Sequence, residues 1–443
     1  MKISLLNHAS IIVEIDGFKL LTDPWYFGTG FDGGWGLRFQ NPEAIEQVAS
    51  CTHLWISHFH QDHFHVPTLK KILEIHPDII VLGNHSHNFQ LDNAMKGVGF
   101  PNVLTVEERQ PIRINERISL TRFPTTGIDN MLLIESDEGV ILNYNDCVLP
   151  GNSQRWLVKK FGPVDVFLSN FNHAGKLLRY PMDPGDVIKE ELRDNFRNYI
   201  AAFNPRWVIP FASYHYYRSP DNLQQNESLN ELEDLLPIDQ RIIPIHIGGQ
   251  VTFDKNMQEY QVEAQSYSVT KSVYEVKGQG ASKSWEEIVS AAGKYCKKIR
   301  TGFPIFYHFL PVLKIYIYDL DINANVHPRN GIVRDTAPES ASESHIQVHS
   351  EALFNWFDHP FGTDTFVVGG HFRISNTHII PVRWQFIFSL LTENRLDLKS
   401  LVLMLFSLSG IRFIWHRREE IMGILTSGQI GPVYQQEKKK SPA

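Results

Sequence analysis

Cysteine is scarce in this chain of 443 residues: Cys51, Cys147 and Cys296 are the only three. They are too few and too scattered for a disulfide framework or a cysteine zinc site, and they suit a reducing cytoplasm, the expected location. Long apolar runs are missing too. The opening residues, Met1-Lys2-Ile3-Ser4-Leu5-Leu6-Asn7-His8, lack the apolar stretch of a signal peptide. The greasiest segment, Leu401 to Leu408, is bounded by Lys399 and Arg412 and falls short of the roughly 18 apolar residues that suggest a membrane span. A buried helix is expected there, and no transmembrane span. Nor is there an excess of positive charge: 42 Lys and Arg against 49 Asp and Glu give a net charge of −7, which argues against nucleic acid as a partner.

What is present is ordinary globular material, with 42% hydrophobic and 21% charged residues, in a length that suits two or three domains. One stretch departs from it. Trp55-Ile56-Ser57-His58-Phe59-His60-Gln61-Asp62-His63 has the form His-x-His-x-Asp-His. A β-rich run, Leu54-Trp55-Ile56, leads into it, and a helix signal at Val66-Pro67-Thr68-Leu69 follows. In a turn leaving a strand end, His58 and His60 face one way because residues two apart share a side, while Asp62 and His63 can curl round to meet them. Neutral imidazole with carboxylate suits zinc or iron. One or two such divalent ions are therefore the expected cofactors, able to turn bound water into hydroxide near neutral pH.

Along the chain, Ile11 to Thr22 reads as a hairpin about Asp16-Gly17, a strong turn signal between apolar runs. The Gly-rich stretch Phe27 to Trp35 lacks the Lys-Ser/Thr of a phosphate-binding loop and is expected to be a flexible loop at the rim of the site. Strands are predicted near 79–83, 118–123, 131–135, 140–144, 164–169, 207–210 and 241–245, with helices after Val66 and from Val187 to Phe203, as in a layered α/β arrangement. A polar break follows at 254–280. Beyond it a helical pattern starts at Trp285, Phe303 to Ile322 alternates like strands, 336–345 is a polar loop, and an aromatic-rich unit runs from about 350 to 430. The expected division is 1–255, a metal-binding domain; 256–300, a connecting segment; 301–430, a C-terminal α+β domain; and 431–443, a disordered tail.

With Thr22-Asp23-Pro24-Trp25, the His58-x-His60-x-Asp62-His63 motif and Asn143-Tyr144-Asn145-Asp146-Cys147, the first 250 residues resemble the metallo-β-lactamase superfamily. Within it they look like the lactamase-like domain of the CMP-N-acetylneuraminate hydroxylases; Pro67 to Lys71 and Pro210-Phe211-Ala212-Ser213-Tyr214 add to the likeness. The resemblance implies an αββα sandwich carrying a C-terminal α+β extension. It also implies that His58 and His60 bind one metal, that Asp62 and His63 serve the second position, and that Asp146 is the bridging carboxylate. Asp62 is in addition the natural group to orient or deprotonate a bound water.

The departures are as informative. The middle histidine of the superfamily's hydrolases is missing from Phe123-Pro124-Thr125-Thr126-Gly127, and Pro210 is followed by Phe211 where a late histidine is expected. Asp129 is a candidate substitute for the middle ligand, and His173, His215 and His246 for the late one, while His8 and Asp23 are candidate site-lining residues. The Cys-x-His and Cys-x-x-His pair of a Rieske iron–sulfur domain is also missing, since Cys51-Thr52-His53 has no partner. The leading expectation is a hydrolase that directs metal-bound hydroxide at an ester, phosphoester or amide of a small anionic substrate, with Tyr214 and Arg218 as substrate contacts. The alternatives are a non-haem iron oxygenase component acting on a sugar nucleotide with electrons from a separate donor, and a binding module with a vestigial metal site.

Overall fold

In the computed structural model, residues 1–84, 90–125, 129–149, 154, 157–160, 162–264, 268–335, 343–394, 396–407, 410, 411, 414, 415 and 418 are described. The predicted hairpin is present: Ser10–Ile15 pairs antiparallel with Phe18–Thr22, and both turn residues, Asp16 and Gly17, have positive φ. That is the twist a two-residue hairpin loop needs. The hairpin lies inside an eight-stranded sheet ordered Tyr260–Glu263, Gln250–Phe253, Lys2–Asn7, Ser10–Ile15, Phe18–Thr22, His53–Trp55, Ile80–Asn84 and Val103–Val106. A six-stranded sheet runs Pro111–Arg113, Ile118–Pro124, Asn130–Ser136, Gly139–Asn145, Val166–Ser169 and Trp207–Pro210.

Strand periodicity explains how the two sheets stack. Ile3, Leu5, Val13, Leu20 and Trp55 of the first sheet share a core with Leu120, Leu132, Ile134 and Ile141 of the second, each alternate residue pointing between the layers. The other faces carry helices. Leu69 and Ile72 of Val66–Ile75 and Leu91 and Met95 of Leu91–Val98 cover Leu21, Leu54 and Val81. Gly185–Phe203 buries Ile188, Leu192, Phe196, Ile200 and Phe203 at helical spacing, with Phe203 against Tyr144 and Phe167 of the second sheet. These layers make an αββα sandwich.

A second core lies further along the chain. A five-stranded sheet, ordered Gly331–Arg334, Ile322–His327, Leu313–Ile317, Ile346–Val348 and Arg373–Ile374, packs with Leu353, Trp356, Phe366, Val382 and Phe386 from three helices. Helix Trp285–Gly302, which starts in the expected connecting segment and runs past its end, adds Ile288, Ala291, Tyr295 and Ile299 to this core. Ser284 starts it with a reciprocal capping box with Glu287.

Several local expectations change. The Gly-rich stretch forms a short hairpin of Thr29–Gly30 with Trp35–Leu37 that buries Phe31 and Trp35. Residues 303–310 are not strand: Phe306–Phe309 is a 3-10 turn between Pro304 and Pro311, which cannot donate to a ladder. Residues 241–245 contribute a single bridge, Ile242 to Val208, because the next N–H on that side, that of Ile245, turns back to the Ile243 carbonyl at 2.9 Å. The polar break carries the edge strand Tyr260–Glu263 and a strap that runs over the surface: Ser272 N donates to the Arg38 carbonyl at 2.7 Å, and Lys283 N to Ser350 Oγ at 2.8 Å. Leu398–Leu405 is a helix, but Val402, Leu403 and the following Phe406 are exposed, because no described element covers that side. Most of the expected polar loop, 336–342, and the tail after residue 418 lie outside the described residues. No helix among the described residues is long and apolar enough to cross a membrane.

Candidate metal centre

Parallel pairing sets the place of the site. Phe18–Thr22, His53–Trp55 and Ile80–Asn84 run parallel in one sheet, and Gly139–Asn145, Val166–Ser169 and Trp207–Pro210 in the other. The segments leaving their C-terminal ends meet at one edge of the sandwich, where open α/β sheets hold ligands. At or just beyond strand ends, His8, Asp23, Asn145 and Ala212 have φ of 32°, 37°, 56° and 53°. This left-handed turn is tolerated best by His, Asp and Asn, and it bends the chain sharply at this edge.

Asp23 anchors the motif. Ser57 N donates to its Oδ1 at 2.7 Å and Asn145 Nδ2 to its Oδ2 at 2.7 Å, while His63 Nδ1 lies 3.2 Å from that same Oδ2. The other nitrogen of His63 then sits 2.9 Å from Asp146 Oδ2 and 3.2 Å from Asp62 Oδ2. Asp62 Oδ2 also meets His8 Nε2 at 3.0 Å. On the far side of the turn, His58 Nε2 faces His60 Nδ1 at 2.8 Å and Asp129 Oδ1 at 3.6 Å. Two ring nitrogens that close need a proton or a cation between them. Ser57 Oγ holds the remaining nitrogen of His58 at 2.8 Å, and Asn170 Nδ2 donates to Asp146 Oδ1 at 3.0 Å.

Among the described residues, three groups have nitrogen and oxygen atoms within 4.8 Å of one another: His8, Asp62 and His63; His58, His63 and Asp146; and His58, His60 and Asp129. Shared His58 and His63 join them into one cluster. The donor set suits a divalent cation such as zinc or iron, and two buried polar atoms, Asp62 Oδ1 and His8 Nδ1, have no protein partner. Leaving such an atom unpaired costs about 1–3 kcal/mol, which a bound ion or water would recover.

The charges are strongly coupled. Burial drives the His58 imidazole well below its usual range, with His63 and His60 adding to the effect, so it is neutral, as a ligand must be. Burial pushes the Asp62 carboxyl up, but His63 and His8 outweigh it and hold it well below the usual carboxylate range. His63 goes the other way: Asp62, Asp146 and Asp23 overcome its burial and raise it. Burial lifts Asp129 to about 6 despite His60.

The other candidates lie elsewhere. His215 is buried with both ring nitrogens unpartnered, stacked 3.8 Å from Trp35 and 5.6 Å from the His8 ring, so it borders the cluster. His173 does not join it: Nε2 is 2.8 Å from Ser228 Oγ and Nδ1 2.8 Å from Tyr217 OH. His246 is exposed beside Glu233. Tyr214 is buried between Phe39 and Phe171. Arg218 is engaged with the strap, where its Nε donates to the Glu275 carbonyl at 3.1 Å and Nη2 lies 3.2 Å from Glu275 Oε2. Sequence reasoning passed over Ser57, Asn145 and Asn170, whose types are common in turns, and Asp364, which lies 3.2 Å from His60 Nε2. Nothing in Phe361-Gly362-Thr363-Asp364-Thr365 marks that aspartate.

The sandwich and its edge cluster of imidazoles and carboxylates define the chain as carrying a metallo-β-lactamase fold. Residues 2–212 match the beta-lactamase superfamily domain. The chain is similar to cytidine monophosphate-N-acetylneuraminic acid hydroxylase of Asterias rubens, 28% identical over 52% of this chain and 38% of that one. It is also similar to the inactive human protein of that name, 28% identical over 53% and 50%. It thus spans half or less of the length of these relatives. Solved structures that resemble it include Igni18, a metallo hydrolase from Ignicoccus hospitalis (15% identity, TM-score 0.40, 60% of this chain and 99% of that one). Another is CmlA, a diiron beta-hydroxylase from Streptomyces venezuelae (16%, 0.39, 56% and 53%). At these scores neither likeness carries weight.

Proposed function

We propose that the chain is a metal-dependent hydrolase of a small anionic ester, phosphoester or amide. The observation that carries this reading is Asp62, an ionised carboxylate with Oδ2 shared by His8 and His63 and Oδ1 buried without a partner. His58, His60 and Asp129 would hold one ion and His63 and Asp146 a second, supplying Lewis acidity and lowering the pKa of bound water. Asp62 Oδ1 keeps lone pairs with which to orient that water or accept its proton. Asp23 and Ser57 fix the tilt of His63 and His58, as groups behind metal-binding histidines do. An anionic substrate accords with the sugar-nucleotide acid in the relatives' name.

One observation favours a second reading. Asp129 beside His58 and His60 makes a two-histidine, one-carboxylate set, an arrangement that non-haem iron oxygenases use; such an enzyme would draw electrons from a separate donor. Metal analysis of protein purified without added metal, with assays on phosphodiesters and esters, separates the two. Zinc with hydrolytic turnover lost in Asp62→Asn supports the hydrolase. Iron with a dioxygen-sensitive spectrum and no hydrolysis overturns it in favour of the oxygenase.

A further inference from the structure

The His60 ring is held from both ends. Its Nδ1 points into the cluster, 2.8 Å from His58 Nε2, and its Nε2 points out, 3.2 Å from Asp364 Oδ1. Asp364 comes from the second core, on the short helix Gly362–Val368. A carboxylate can only accept, so the proton of a neutral His60 belongs on Nε2, and Nδ1 is left with the lone pair that faces the cluster.

The helix that carries Asp364 is fixed to the sandwich around this contact. Gln61 Nε2 donates to Thr365 Oγ1 at 3.1 Å, Trp35 Nε1 to the Val368 carbonyl at 2.9 Å, and His371 Nε2 to the Phe31 carbonyl at 2.8 Å. Gly34 approaches so closely that a Cβ there would stand 2.6 Å from the Gly369 carbonyl oxygen. On its other side, Thr363 N donates to Glu393 Oε1 at 2.8 Å. Asp23, Asp62, Asp129 and Asp146 already crowd the cluster with carboxylates, and a fifth nearby is favourable only where it meets an imidazole N–H.

We propose that Asp364 is a positioning residue of the metal centre, selecting the tautomer and orientation of His60 from the C-terminal part of the chain. The inference rests on the metal-binding reading above. It makes the second core part of the centre, joined to it through one carboxylate.

The test uses the full chain, with zinc affinity measured by competition against a chromophoric chelator and the visible spectrum of the cobalt-loaded protein. Asp364→Asn and Asp364→Ala should weaken zinc binding about 10- to 100-fold and shift the cobalt bands, with Asp364→Glu restoring part of both. Thr365→Val cuts the neighbouring contact to Gln61 without touching the carboxylate and should leave both readouts unchanged. Wild-type affinity and spectrum in Asp364→Asn, alongside lost binding in His60→Ala, would overturn the positioning role and leave the metal reading standing. Undiminished binding in His60→Ala would overturn the metal reading itself. An equal loss in Thr365→Val would assign the effect to docking of the helix and overturn the role of Asp364.

Discussion

At the edge of the eight-stranded sheet, His8, His60 and His63 turn ring nitrogens to carboxylates, whereas His345, His349 and His371 of the C-terminal part each turn one nitrogen to the main chain. There Lys314 N donates to His345 Nδ1 at 3.0 Å, Glu351 N to His349 Nδ1 at 3.2 Å, and His371 Nε2 to the Phe31 carbonyl. Buried carboxyls divide in the same way. Asp62 and Glu393 each leave one oxygen without a partner, yet Asp62 is held ionised by two imidazoles, while burial lifts Glu393, opposed by the neutral donors of Thr363 and Asp364, to about 7. A histidine bound to backbone is a fixed structural part. One bound to a carboxylate in a cluster can exchange its proton for a cation.

The largest expected effect breaks the comparison at its strong end. His58→Ala should lower the metal content of the purified chain more than tenfold, because a ligand shared by two of the three groups is gone. His173→Ala, whose nitrogens are both committed to Ser228 and Tyr217, should leave metal content unchanged while lowering stability. Equal metal loss in the two variants would mean that proximity to carboxylates does not distinguish ligands from structural histidines.

A second prediction concerns the carboxyls. The folded-state pKa of Glu393, about 7, lies above its ordinary 4.5, so the folded chain retains a proton that the unfolded chain has released between those values. Stability should therefore fall as pH rises from about 4.5 to 7 and level off above, by at most about 3 kcal/mol. Glu393→Gln keeps an acceptor for the Thr363 N–H and should flatten this slope in denaturant titrations. A slope that survives the substitution would remove Glu393 as its source.

The sandwich was legible because its signals are local: Asp-Gly between two apolar runs marks the hairpin, and Leu192, Phe196 and Ile200 mark the long helix. The motif from His58 to His63 was legible for the same reason, since all four side chains leave a single turn. Asp129, Asp146 and His8 became candidates through family resemblance, because they arrive from separate strands. Asp364 was not legible at all: its approach to His60 depends on how the C-terminal part seats against Trp35 and Phe31, which no spacing encodes. Arg218 shows the converse, a basic residue near aromatics whose charge is taken up by Glu275 of a strap more than fifty residues downstream.

The smallest effect sharpens the comparison from the structural side. His349 begins helix Ser350–Asp358 by accepting the Glu351 N–H, and its Nε2 lies 3.4 Å from Asp319 Oδ2. Asp319 also accepts from Ser350 N at 2.8 Å, so half of the cap survives when the imidazole is removed. His349→Ala should therefore cost about 1 kcal/mol or less, a fall of roughly 2–4 °C in melting temperature for a unit of this size. Metal content should stay at the wild-type value, although this histidine, like those of the cluster, has a carboxylate within reach. What separates it is that its other nitrogen accepts from the backbone and that no second imidazole among the described residues faces it. A matching drop in bound metal in this variant would show that one carboxylate contact suffices to couple a histidine to the centre.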